Sequence, residues 1–100
     1  MQRQGNLKMS QPNVDFMMNM TKDFLDGKID IVTYALDFPH ELKKRYSRIK
    51  REDDDYCYLI YEVLFLDGVA KYEDLTDEDF TKLIRKQYKY ILKIASEGFY

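Results

Sequence analysis

The sequence predicts an all-α protein, an antiparallel four-helix bundle, on three observations. Apolar residues recur at 3 to 4 spacing in four stretches, helix-capping and helix-stopping residues punctuate those stretches, and no alternating strand pattern competes with them. At 100 residues with 45% apolar and 34% charged side chains, two prolines and four glycines, the chain is one globular domain. Residues 1–12 carry no periodic pattern and read as a flexible leader, with Met9 a second candidate start; residues 13–100 form the single helical domain.

The first helix starts at Asn13, a good N-cap, with Asp15 in its first turn. Val14, Met17, Met18, Phe24 and Leu25 form its apolar stripe, and Gly27 ends it. A second helix from Asp30 carries Ile31, Tyr34, Ala35 and Phe38. Pro39 disfavours helical geometry at Phe38 and suits the first turn of a new helix, so the second helix is expected to be broken there. Beyond the break Leu42, Tyr46 and Ile49 form a narrow stripe, with Lys43, Lys44, Arg48, Lys50 and Arg51 around it.

Glu52, Asp53, Asp54 and Asp55 follow, a run suited to a helix N-terminus because carboxylates offset the positive end of the dipole and accept orphan amide hydrogens. The third helix spans residues 56–66. It is apolar almost all round, with Glu62 its only charge, and Gly68 closes it, so it is central. A buried Glu62 needs a hydrogen-bond partner, and a structural bond near the bundle edge is expected over an exposed position in a groove. A loop over residues 69–75 leads to Thr76, which caps the last helix with Asp79 three residues on. Phe80, Leu83, Ile84, Gln87, Tyr88, Ile91, Ile94 and Ala95 share one arc of that helix; Lys82, Arg85, Lys86, Lys89 and Lys93 lie opposite.

The chemistry of known catalytic motifs is missing. His40 is the only histidine and Cys57 the only cysteine, which leaves the usual zinc sets out of reach and allows no internal disulfide. A Cys57/His40 nucleophile pair is disfavoured because Cys57 sits in an apolar helix. Asp67 and Glu78 have the spacing of the first and last ligands of a calcium loop, but Val69, Lys71 and Tyr72 occupy intermediate positions that require oxygen ligands or glycine. No enzyme activity and no cofactor are expected. No charge-free run exceeds six residues, so no membrane span is expected, and the lone thiol suits a cytoplasmic protein.

The net charge of −2 hides a strong segregation. Residues 40–51 carry six basic and one acidic side chain, net +5; residues 52–80 carry eleven acidic side chains and only Lys71, net −10; residues 81–100 carry five basic and one acidic, net +4. Helix capping accounts for part of the acidic block. It does not account for Asp67, Glu73 and Asp74. An acidic surface interleaved with tyrosines suits a basic protein partner, because charge steers the encounter and tyrosine anchors it. The alternative is a small helical nucleic-acid-binding regulator that uses the basic face of the last helix; the −10 block would repel that ligand, so no direct nucleic-acid contact is expected.

Phe24-Leu25-Asp26-Gly27-Lys28-Ile29 resembles the F-L-x-G-K-I first turn of small bacterial immunity proteins, similar to the colicin D immunity family and the immunity proteins of contact-dependent growth inhibition. Tyr72-Glu73-Asp74-Leu75-Thr76-Asp77-Glu78-Asp79-Phe80 resembles their acidic loop into the last helix. The resemblance implies a four-helix protein that binds the C-terminal nuclease domain of a cognate toxin and blocks its cationic active site with carboxylates. Tyr72, Glu73, Asp74, Asp77 and Glu78 sit in the matching segment; Asp53, Asp54, Asp55 and Asp67 join the candidate partner-binding set on charge alone. A monomer is favoured.

Overall fold

The computed structural model describes residues 10–98, and among them there is no strand. Helix α1 spans Pro12–Leu25, α2 spans Ile31–Glu52, α3 spans Asp54–Leu59 and runs directly into a π-helical segment, Ile60–Leu66. A 3-10 helix, Val69–Asp74, leads into α4, Asp77–Glu97. These elements form the expected four-helix bundle, 46 Å along its longest axis.

Neighbours in sequence are antiparallel. The start of α1 meets the end of α2 through Asn13 and Glu52, and its end meets the start of α2 through Thr21 and Tyr34. The core joins all the helices: Val14 and Met17 from α1, Tyr34, Phe38, Leu42 and Ile49 from α2, Ile60 and Leu64 from the π segment, and Phe80, Ile84 and Ile91 from α4. Its centre is aromatic. The Phe24 and Tyr34 rings stack at 4.5 Å, and Phe80 packs tilted against both. The buried Tyr34 hydroxyl shares a 2.8 Å hydrogen bond with Thr21 Oγ1, which satisfies both groups; burial pushes the Tyr34 phenol well above its ordinary value.

Alpha-helix ends follow local chemistry at most positions. Gly27, at φ +82°, ends α1 in a Schellman arrangement, with Lys28 N–H donating to Asp23 O and Gly27 N–H to Phe24 O. Asp30 caps α2 by accepting from Thr33 N–H, and Thr76 caps α4 by accepting from Asp79 N–H.

Four expectations need correction. First, α2 is not broken at Pro39: it is helical without interruption from Ile31 to Glu52. The proline removes one amide donor, but Phe38 and Leu42, which flank it on the helix surface, are buried in the core, and that packing outweighs the local preference. Second, α1 begins before Asn13, with Gln11 at the cap position and Pro12 in the first turn, so Gln11 and Pro12 belong to the helix and its cap; residues 1–9 of the expected leader lie outside the described residues. Third, residues 69–74 are a 3-10 helix rather than a loop. Fourth, Glu52 does not lead into α3. It ends α2 and caps α1 across the bundle, its carboxylate accepting from the amides of Asn13 (3.0 Å) and Val14 (2.9 Å) and from Asn13 Nδ2 (2.6 Å).

Candidate functional site

The acidic block divides between the two ends of α3 and its π extension. At the α2–α3 junction Asp53 leaves the helical conformation (φ −165°, ψ 103°) and its side chain accepts from Tyr56 N–H at 3.0 Å, which starts α3. Asp54 and Asp55 occupy the first turn and are exposed; Asp54 pairs with Lys50 at 3.0 Å. Asp67 and the following acids lie at the far end of a helix of thirteen residues, on the order of 20 Å away at 1.5 Å per residue. The candidate residues therefore form two groups.

The second group is built on a tight corner. Gly68 packs so closely on the end of the π segment that a Cβ there would collide with the Leu64 carbonyl oxygen and sit 3.2 Å from Ile84 Cδ1. Gln87 of α4 donates to the Asp67 carbonyl at 3.0 Å and holds the corner to the last helix. Val69 is buried, and the half-buried Tyr72 sets its ring edge-on to Phe80 at 5.2 Å. Tyr72 thus anchors the 3-10 helix to the core, which leaves Glu73 and Asp74 exposed beside it. Thr76 then starts α4 with Asp77, Glu78 and Asp79 in its first turn, where the helix dipole favours carboxylates. Asp67, Glu73, Asp74, Asp77 and Glu78 are all exposed. Among the described residues only Glu78 of these five has an ion-pair partner, Lys82 at 3.6 Å.

Sequence reasoning missed a second feature. Tyr46, assigned above to an apolar stripe, is exposed, as are Tyr58 and Leu66. Between α2 and the α3–π helix an open hollow of about 640 Å³ is lined by Pro39, Leu42, Lys43, Tyr46, Tyr61 and Phe65. A second hollow of about 370 Å³ shares Tyr46 and Tyr61 with it and adds Lys50, Asp54, Asp55, Cys57, Tyr58 and Glu62. Within Ile60–Leu66 a regular wheel fails: Asp67 N–H bonds Glu62 O, five residues back, and this π geometry takes Tyr61, Phe65 and Leu66 out of a 3.6-residue pattern. Glu62 lines the second hollow and its carboxylate makes no hydrogen bond among the described residues, so the expected structural bond is not found there.

Cys57 is buried, its Sγ 4.0 Å from the Tyr46 carbonyl, whereas His40 is exposed. Burial pushes the Cys57 thiol up, the opposite of what a thiolate nucleophile requires. Among the described residues no three His, Cys, Asp or Glu side chains are placed to hold a metal ion, and no helix is long and apolar enough to cross a membrane.

No protein-family model, curated protein or solved structure matches the chain.

Proposed function

We propose that this chain is an immunity protein: a cytoplasmic, non-enzymatic inhibitor that binds a basic toxin domain, a nuclease, and occludes its cleft with an acidic face. One observation carries the reading. At the corner leading into α4 the carboxylates of Asp67, Glu73, Asp74, Asp77 and Glu78 are exposed, with Lys71 the only cation between residues 67 and 80. A nuclease cleft is cationic because it binds phosphate, and a cluster of carboxylates on a fixed backbone meets the same groups while offering no bond to cleave. The corner is held by Tyr72, Thr76 and Gln87, so little backbone ordering is needed on binding. The likeness of residues 24–29 and 72–80 to immunity proteins supports the same reading.

The test is the combined reversal Glu73→Lys, Asp74→Lys, Asp77→Lys and Glu78→Lys, measured as growth protection against a basic nuclease toxin domain and as affinity for that domain. Protection is lost, helical circular dichroism is retained, and wild-type binding weakens as salt rises. Wild-type affinity in the reversed variant at both low and high salt refutes the reading. Salt-sensitive gel shifts by the isolated chain, lost on replacing Lys82, Arg85, Lys86, Lys89 and Lys93, would support the nucleic-acid-binding alternative instead.

A further inference from the structure

The two hollows between α2 and the α3–π helix form one furrow, because Tyr46 and Tyr61 line both. Its floor is apolar and aromatic around Pro39, Leu42, Tyr46, Tyr61 and Phe65, and more polar towards Lys50, Asp54 and Glu62. Its walls are charged with opposite sign: Lys43 and Lys50 stand on the α2 side, and Asp54, Asp55 and Glu62 on the α3–π side. Lys50 and Asp54 already pair within the chain, whereas Lys43, Asp55 and Glu62 make no ion pair among the described residues.

The apolar surface extends past the furrow. Val32 is 52% exposed and Leu36 69%, and they continue the stripe of α2 that Pro39, Lys43, Tyr46 and Lys50 occupy at 3 to 4 spacing. From Val32 to Lys50 this face is about 27 Å long. Tyr58, 64% exposed, stands over the other wall. Exposed apolar and aromatic side chains along one face of a small domain mark an interface, and exposed tyrosines are typical anchors of one.

The charge arrangement selects the occupant. A uniformly basic partner would set cations against Lys43 and Lys50, and a uniformly acidic one would meet Asp54, Asp55 and Glu62. The complement is a surface with two parallel rows of opposite sign and an apolar strip between them. A second copy of this chain has that surface. Turned over about a two-fold axis running along the furrow, it lays its α3–π wall over α2 and its α2 wall over the α3–π helix. Lys43 and Lys50 then face carboxylates twice over, and the tyrosines meet above the apolar floor. We propose that this face joins two copies of the chain in an isologous dimer, in place of the monomer expected from sequence. Glu73, Asp74, Asp77 and Glu78 line neither hollow, so the dimer and the acidic corner are separable.

Sedimentation equilibrium of the full chain from about 1 µM to about 1 mM tests this, the span in which small interfaces associate. The wild-type chain dimerises within that range. Tyr58→Ala raises the dimer dissociation constant at least about tenfold while circular dichroism stays that of the folded chain. Two paired charge variants give the sharper result. Lys43→Glu with Lys50→Glu makes both walls acidic, and Asp55→Lys with Glu62→Lys makes both predominantly basic. Neither variant self-associates, yet an equimolar mixture of the two does. A wild-type chain that stays monomeric to the top of the range overturns the proposal. So does a dimer indifferent to Tyr58→Ala, or a mixture that fails to associate.

Discussion

Replacing Glu52 with alanine is expected to cost about 2 kcal/mol, because among the described residues it is the side chain that caps α1. The Glu52 carboxylate accepts from two main-chain amides of the first turn of α1 and from Asn13 Nδ2. Asn13 Oδ1 in turn accepts from Arg45 Nη1 at 2.7 Å, Arg45 Nε donates to Glu41 at 3.0 Å, and the guanidinium lies 3.6 Å from the centre of the Phe16 ring. Loss of a helix cap costs about 1 kcal/mol, and loss of a charge-assisted bond to a half-buried partner about 1.5 kcal/mol. Against this, a carboxylate at the C-terminal end of α2 opposes that helix's dipole, and removing it recovers about 0.5 kcal/mol. At roughly 4 to 8 °C per kcal/mol for a domain of this size, Tm falls by about 10 °C. Glu52→Gln keeps one acceptor oxygen and is expected to lose about half as much. A cycle with Asn13→Ala shows a coupling of about 1 kcal/mol. The same site sets a pH dependence. Desolvation raises the Glu52 carboxyl, but the bonds from Asn13 and Val14, with Arg45 nearby, outweigh it and hold the group below the ordinary range. Its contribution is therefore complete above the unfolded value of about 4.3 and is lost as pH falls through the lower folded value, so the wild-type and Glu52→Ala melting curves converge in acid. Thermal melts at pH 7 and pH 3 check this. A Glu52→Ala loss under about 0.5 kcal/mol, well below the roughly 1 kcal/mol of an ordinary cap, or strict additivity with Asn13→Ala, refutes the cross-bundle cap.

Three further outcomes are expected. Gly68→Ala forces its methyl group into the Leu64 carbonyl and Ile84 and destabilises the fold by about 1 to 3 kcal/mol, read by urea denaturation; a neutral effect contradicts the close approach at the corner. Thr21→Val leaves the buried Tyr34 hydroxyl without its 2.8 Å partner and costs about 1 to 3 kcal/mol, while Thr21→Ser retains the bond and loses less. Cys57 reacts with a thiol-specific disulfide reagent at pH 8 only at the rate of local or global opening, since the thiol is buried and its ionisation is suppressed; prompt labelling of the folded chain disproves its burial.

Much of the fold was legible because its signals are local. The stripes Val14, Met17, Met18 and Phe24 in α1 and Phe80, Ile84 and Ile91 in α4 are periodic, and those residues are buried. Asp30 and Thr76 announce helix starts because an oxygen two or three residues ahead of a free amide is a local arrangement, and Gly27 announces a stop because only its own φ matters. The acidic corner was legible for the same reason: Asp77, Glu78 and Asp79 lie in a first turn that charge favours.

The rest depended on groups far apart in the chain. Pro39 on its own disfavours a helix, and only the core packing of Phe38 and Leu42 carries α2 through it. Glu52 read as part of a capping run for α3, but its partner amides lie 38 and 39 residues away. The furrow was hidden because a π segment departs from the 3.6-residue wheel that sequence reading assumes, so Tyr61 and Phe65 pack at the edge of the core with one side open beside Tyr46. The sequence by itself determined the helices, most of their ends and the separation of charge, since each is a matter of neighbours along one turn. Only the tertiary structure decided which carboxylates serve as caps, which lie free in solvent, and which aromatic rings remain outside, because burial and pairing arise where distant segments meet.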